Sequence, residues 1–203
     1  MMTRRGFLGF AGAVIATALG MACTQEQRSV ETPTPEVVEK EVVKEVAKPL
    51  PPPPWKYEEL DPDKVAELAY QGYMGKTLTG EKLPGKACCF GVFYSIVKSL
   101  EEKVGSPYRE FLPVATIATV GEGGLVGWAS LCGALNGAAW AVWLVLPHEE
   151  AKKVIDELYA WYQYEELPKY VPKKAMKAEL SPFPTSVANS ILCHASVTNW
   201  CKV

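Results

Sequence analysis

The stretch Leu125-Val126-Gly127-Trp128-Ala129-Ser130-Leu131-Cys132-Gly133-Ala134-Leu135-Asn136-Gly137-Ala138-Ala139-Trp140-Ala141-Val142-Trp143-Leu144-Val145-Leu146 runs for 22 residues without a formal charge, and its reading decides the fold. That length suffices to cross a bilayer, and Gly133-x-x-x-Gly137 suits close helix contact in lipid. Against a span, Asn136 and the glycines at 127, 133 and 137 interrupt the run, and a helix apolar on every side also suits the centre of a small bundle. The stretch is therefore read as a buried central helix. A membrane-spanning subunit using residues 125–146 stands as the alternative.

Working outward, Pro147 ends the run, and Glu149, Glu150, Val154, Ile155, Leu158 and Trp161 form an amphipathic helical series that reads as scaffold. Upstream, Asp61-Pro62 is an N-cap followed by proline at the first helical position, with Val65, Leu68, Ala69 and Gly72 at helical spacing. A first helix is expected to reach about Gly72. After Gly85, Cys88, Val92, Ile96 and Leu100 step by four along one face, with Cys89, Phe93 and Val97 beside them, until Gly105 and Pro107 stop the helix. Val114 to Val120 is expected as one short extended piece. From Glu165 to Pro184 the chain turns to Pro, Lys and Tyr, including Lys173-Lys174 and Pro182-Phe183-Pro184, and reads as a long connecting loop. Nothing alternates as a sizeable sheet does. The fold class is mainly α, a small helical bundle with long irregular loops over residues 55–203.

The N-terminus reads as an address. Thr3-Arg4-Arg5-Gly6-Phe7-Leu8 and the uncharged stretch from Gly6 to Ala22 resemble a twin-arginine export signal, which spans residues 1–23. Cys23 is the candidate for a lipid-modified N-terminus, and simple cleavage after Ala22 is the alternative. Residues 24–54 make a charged, Pro-rich linker that closes with Pro51-Pro52-Pro53-Pro54. The expected location is the periplasm or the outer face of the cytoplasmic membrane, with Cys23 as the membrane anchor. Lys and Arg total 21 against 23 Asp and Glu, without a basic stripe, which excludes a nucleic-acid partner.

Six cysteines remain to be explained. Setting Cys23 aside leaves Cys88, Cys89, Cys132, Cys193 and Cys201, an odd set that two disulfides would not exhaust, and adjacent Cys88 and Cys89 do not readily both pair within one helix. A disulfide-stapled, non-redox lipoprotein module is the competing class. No Cys-x(2 to 4)-Cys knuckle of a zinc site occurs. Covalent haem through Cys-x-x-Cys-His is absent too, since Ser190 stands three residues before Cys193-His194. Dispersed cysteines can still converge on an iron–sulfur cluster. An unbroken helix would hold Cys193 and Cys201 about 12 Å apart, so Cys193 is expected in the turn before a helix capped by Ser196, with Cys201 about a turn inside. His194 is a candidate cluster ligand or hydrogen-bond donor, or simply a polar helix start. His148 reads as surface. Trp128 and Trp140 are expected to lower the dielectric around the metal.

These residues carry a resemblance. Cys88-x-x-x-Val92-Phe93, then Cys132-Gly133-Ala134-Leu135-Asn136-Gly137-Ala138, then Cys193-His194-Ala195-Ser196-Val197 and Trp200-Cys201 resemble the C_GCAxxG_C_C family of redox proteins, in the branch related to split-Soret cytochrome c. The likeness runs from about Trp55 to the end. It implies an electron-transfer protein with an iron–sulfur cluster of the 2Fe–2S type and a homodimer as the assembly. Its implied ligands are Cys88, Cys132, Cys193 and Cys201, with Cys89 as a stand-in for Cys88. The chain departs from the pattern where Gly133 separates Cys132 from Ala134, and it lacks haem-attachment motifs, so no haem path is implied. It also stops two residues after Cys201, where relatives are expected to continue. An export route for folded proteins agrees with a cluster assembled before export. The redox partner proteins are not identified by the sequence, and no acid–base pair or nucleophile constellation assigns a reaction.

Overall fold

The computed structural model describes residues 49–172 and 184–203. The expected export signal, Cys23, residues 24–48 of the linker, Lys173-Lys174 and Pro182-Phe183 lie outside the described residues. Helix α1 is Pro62–Met74. The Asp61 carboxylate accepts from the backbone N–H groups of Asp63 and Lys64, and Gly75, at φ 68°, ends the helix with its N–H on the carbonyls of Gln71 and Gly72. The helix therefore outlasts the expected stop at Gly72. That glycine serves packing instead.

Helix α2, Ala87–Val104, follows the four-residue stepping of its apolar side chains and stands at the centre of the molecule. Cys89, Phe90, Phe93, Val97 and Leu100 are buried along it, and α1, the segment Leu112–Gly121 and the helix Gly133–Val145 all pack on it. Two glycine crossings bring backbones together. A Cβ on Gly72 would lie 2.7 Å from the Gly91 Cα, and one on Gly137 would lie 2.5 Å from the Cys89 carbonyl oxygen. Only hydrogen fits at either crossing.

After the short helix α3, Tyr108–Phe111, Leu112–Gly121 forms a 3-10 helix, which corrects the extended piece expected over Val114 to Val120. With three residues per turn, Ala115, Ala118 and Gly121 fall on one buried line while Val114, Ile117 and Val120 face outward. Small residues at that spacing let the segment lie close to α2. Trp55 fastens the start of the domain: its backbone N–H donates to the Leu144 carbonyl at 2.7 Å, and its indole meets Tyr108 and Phe111 edge to face.

The uncharged stretch is not one central helix. Residues 122–128 are turns and a bend, 129 and 130 have no regular structure, Leu131 is an isolated bridge residue, and only Gly133–Val145 is helical, as α4. The glycines before Cys132 support left-handed turns rather than a helix. Trp128 is 85% exposed, so it does not line a dry site as expected, and Trp140 is only partly covered, with its ring against Phe93. Among the described residues no helix is long and apolar enough to cross a membrane. Helix α5, His148–Tyr164, packs on α4. The expected loop beyond it contains β1, Glu166–Leu167, paired antiparallel with β2, Ser186–Val187. Helix α6, Cys193–Trp200, closes a fold that is mainly α.

Candidate metal centre

Three cysteines stand at the N-terminal ends of three helices. Cys88 is the second residue of α2, Cys132 is the N-cap of α4, and Cys193 is the first residue of α6. Unpaired N–H groups at such ends favour thiolate charge. The starts of α4 and α6 are joined directly. Leu131 and Leu192 form an antiparallel bridge, the Cys132 N–H donates to the Ile191 carbonyl at 2.9 Å, and the Cys193 N–H donates to the Ser130 carbonyl at 2.7 Å.

Glycines let the third thiol approach. A Cβ on Gly133 would lie 2.4 Å from the Cys88 Sγ, and one on Gly124 would lie 2.9 Å from the Cys193 Cβ. Burial raises the Cys193 thiol pKa, and the charges of Cys132 and Cys88 raise it further. Thiolates so close oppose each other's ionisation, and a bound cation reverses that penalty. Among the described residues, no three His, Cys, Asp or Glu side chains already stand at metal-holding spacing. The thiols are neighbours rather than a closed coordination shell.

The remaining candidates separate. Cys89 is fully buried against Gly121. Burial, then the charges of Cys88 and Cys132, push its thiol up to about 12. Cys201 is the C-cap of α6 and exposed. The eight-residue rise from Cys193 amounts to about 12 Å. This corrects the expected geometry, because Cys193 opens the helix and Cys201 lies at its far end. Ser196 does not cap α6, whose N-cap is Leu192 with no side-chain bond. The Ser196 hydroxyl instead meets the Tyr162 Oη at 2.8 Å. All five described cysteines are free thiols.

His194 is exposed, with Nδ1 3.1 Å from the Ala129 carbonyl oxygen. A carbonyl only accepts, so the bond places the ring proton on Nδ1 and leaves the Nε2 lone pair unused in the neutral ring. His148 is at the surface as expected, beside Glu149. The residue that sequence reasoning missed is Tyr162, on the helix taken for scaffold. Its hydroxyl donates to the Cys132 Sγ at 3.4 Å, and burial, followed by that contact, raises its pKa. A tyrosine next to Trp161 in an amphipathic series gives no sign of this role.

The model of the family described as "Putative redox-active protein (C_GCAxxG_C_C)" matches residues 88–202. Split-Soret cytochrome c from Desulfovibrio desulfuricans is 40% identical over 147 residues, which is 72% of this chain and 49% of that protein. A solved structure describing a novel iron centre in split-Soret cytochrome c superposes with a TM-score of 0.63 at 37% identity, covering 73% of this chain and 57% of that one. The chain thus spans about half the length of the curated relative it matches.

Proposed function

From the premise that the chain belongs to the C_GCAxxG_C_C family and is related to split-Soret cytochrome c, we propose that it is an exported electron-transfer protein whose iron–sulfur cluster, of the 2Fe–2S type, is held by Cys88, Cys132 and Cys193. The observation that carries this reading is that three thiols stand at three neighbouring helix starts, with the Cys193 thiol pushed up first by burial and then by the charges of Cys132 and Cys88. Soft thiolate donors suit iron–sulfur chemistry. When bound, the cluster supplies one-electron chemistry, and the chain's own groups hold it and shape its surroundings.

Cys89, buried in the core, acts as an apolar filler in this reading, and Cys201, exposed at the far end of α6, stands outside the ligand set we propose. The unused Nε2 of His194 is the nitrogen donor available on the same helix start. Residues 1–23 act as the twin-arginine signal, Cys23 takes the lipid, and residues 24–54 hold the domain clear of the outer face of the cytoplasmic membrane. The Arg4-Arg5 pair, the uncharged stretch behind it and the Pro-rich spacer support that placement.

The test is iron and labile-sulfide analysis of anaerobically prepared protein, with visible spectra before and after one-electron reduction. Stoichiometric iron and sulfide with bands that bleach on reduction are expected, and serine at 88, 132 or 193 should abolish them. Metal-free, colourless protein after reconstitution would overturn the reading.

A further inference from the structure

Among the described residues, the Tyr162 hydroxyl is the side-chain donor that reaches a candidate ligand sulfur. It also shares a 2.8 Å hydrogen bond with the Ser196 hydroxyl. We propose that Tyr162 is a positioning residue that raises the electron affinity of the metal centre through Cys132, and that Ser196 orients it.

Proton counting fixes the direction of the chain. A thiolate bound to iron has no proton and can only accept. A phenol has one proton to give, and the Tyr162 proton goes to Cys132. Its oxygen then accepts from Ser196, so the order is Ser196 O–H to Tyr162 O–H to Cys132 Sγ. Hydrogen bonds in series polarise one another.

The chain also joins three elements. Cys132 begins α4, Tyr162 lies on α5, and Ser196 lies one turn after Cys193 on α6. One relay therefore fixes the spacing of two proposed ligands. Reduction adds negative charge to the ligand sulfurs, and a donor aimed at sulfur stabilises that state, which raises the potential. Removing the donor should lower it.

This inference rests on the iron-centre reading, and the two fail separately. Iron analysis of the unaltered full chain tests that reading before any variant is made. The midpoint potential of Tyr162→Phe, titrated by visible absorption, then tests the role of the hydroxyl while the ring is kept. At a fixed poise the oxidised-to-reduced ratio should rise about tenfold, or about 59 mV for one electron. Ser196→Ala should shift it in the same direction by less. A potential unchanged within a factor of two in Tyr162→Phe, at unaltered iron content, overturns the proposal. Should the phenylalanine variant fail to fold or to keep its iron, Ser196→Ala decides, and an unshifted potential there overturns it equally.

Discussion

Gly133 lies directly against Cys88, so that a Cβ at residue 133 would come 2.4 Å from the Cys88 Sγ and 2.5 Å from the Gly121 carbonyl oxygen. The sulfur can turn away from such a group, but the carbonyl belongs to backbone wedged between α2 and α4. Gly133→Ala should destabilise the metal-free domain by about 1–3 kcal/mol, the usual cost of overpacking. It should also lower iron occupancy by displacing Cys88. Urea unfolding and iron content check this, and a variant equal to the unaltered protein in both would show that the contact is soft.

Much of the fold is legible in local chemistry. Asp61-Pro62 starts α1 because a carboxylate can take two orphan N–H groups, and α2 is visible because its apolar residues step by four. The 3-10 helix is hidden because a short apolar run fits a strand equally well. Its cue is the three-residue spacing of Ala115, Ala118 and Gly121. The central place of α2 is hidden too, since backbone contact at Gly72, Gly91 and Gly137 comes from tertiary packing. At the site, the cysteines announce themselves, but the Leu131–Leu192 bridge that joins two of them connects residues far apart in sequence. Tyr162 reaches Cys132 across the same kind of gap. No spacing rule shows either contact.

Placement divides the thiols into distinct reactivities. In the metal-free protein at pH 8, a small alkylating reagent should modify exposed Cys201 first and Cys89 last. Cys89 is fully buried, and a thiol pushed up to about 12 is ionised to only about one part in ten thousand at that pH. Mass spectrometry of timed samples reads the order directly. In the same vein, Cys201→Ser should keep its iron while Cys132→Ser loses it. Equal loss in both variants would return Cys201 to the ligand set.

Alkaline pH should unfold the domain through the same buried groups. Burial, with the charges of Cys88 and Cys132, pushes Cys89 up to about 12. Burial alone pushes up Tyr108 to about 12, while its hydroxyl donates to the Lys56 carbonyl at 2.9 Å. Ordinary values are about 8.5 for cysteine and 10 for tyrosine. Between those values and 12 the folded chain keeps protons that the unfolded chain releases, so stability falls as pH rises. The contribution is complete below about pH 8.5 and is lost towards pH 12, by up to about 1.4 kcal/mol per pH unit for each group. Urea midpoints at pH 8, 9, 10 and 11 should decline, and Cys89→Ala should flatten the part between 9 and 10, where Tyr108 contributes little. Constant midpoints across the series would contradict these shifts.

The loop before Cys132 stores strain that substitution can release or worsen. Gly123, Gly124, Leu125, Val126 and Gly127 all have positive φ, with Val126 at 50°. A left-handed residue with a Cβ costs about 1–2 kcal/mol, and a β-branched one is the least suited. Backbone bonds hold the turn closed, including Val126 N–H to the Val120 carbonyl at 3.0 Å and Ala129 N–H to the Gly123 carbonyl at 2.8 Å. The same loop offers the Ser130 carbonyl to Cys193, so its shape sets where α6 begins. Val126 is 59% exposed, and little packing is lost with its side chain. Val126→Gly should therefore stabilise the domain by about 0.5–1 kcal/mol, strain relief exceeding the added chain entropy. Gly124→Ala should act in the opposite direction and more strongly, because its Cβ would meet the Ser130 nitrogen at 2.5 Å as well as the Cys193 Cβ. Thermal unfolding of the two variants should move to opposite sides of the unaltered protein. A fall in both would mean that Val126 supports the loop by contacts that outweigh its strain.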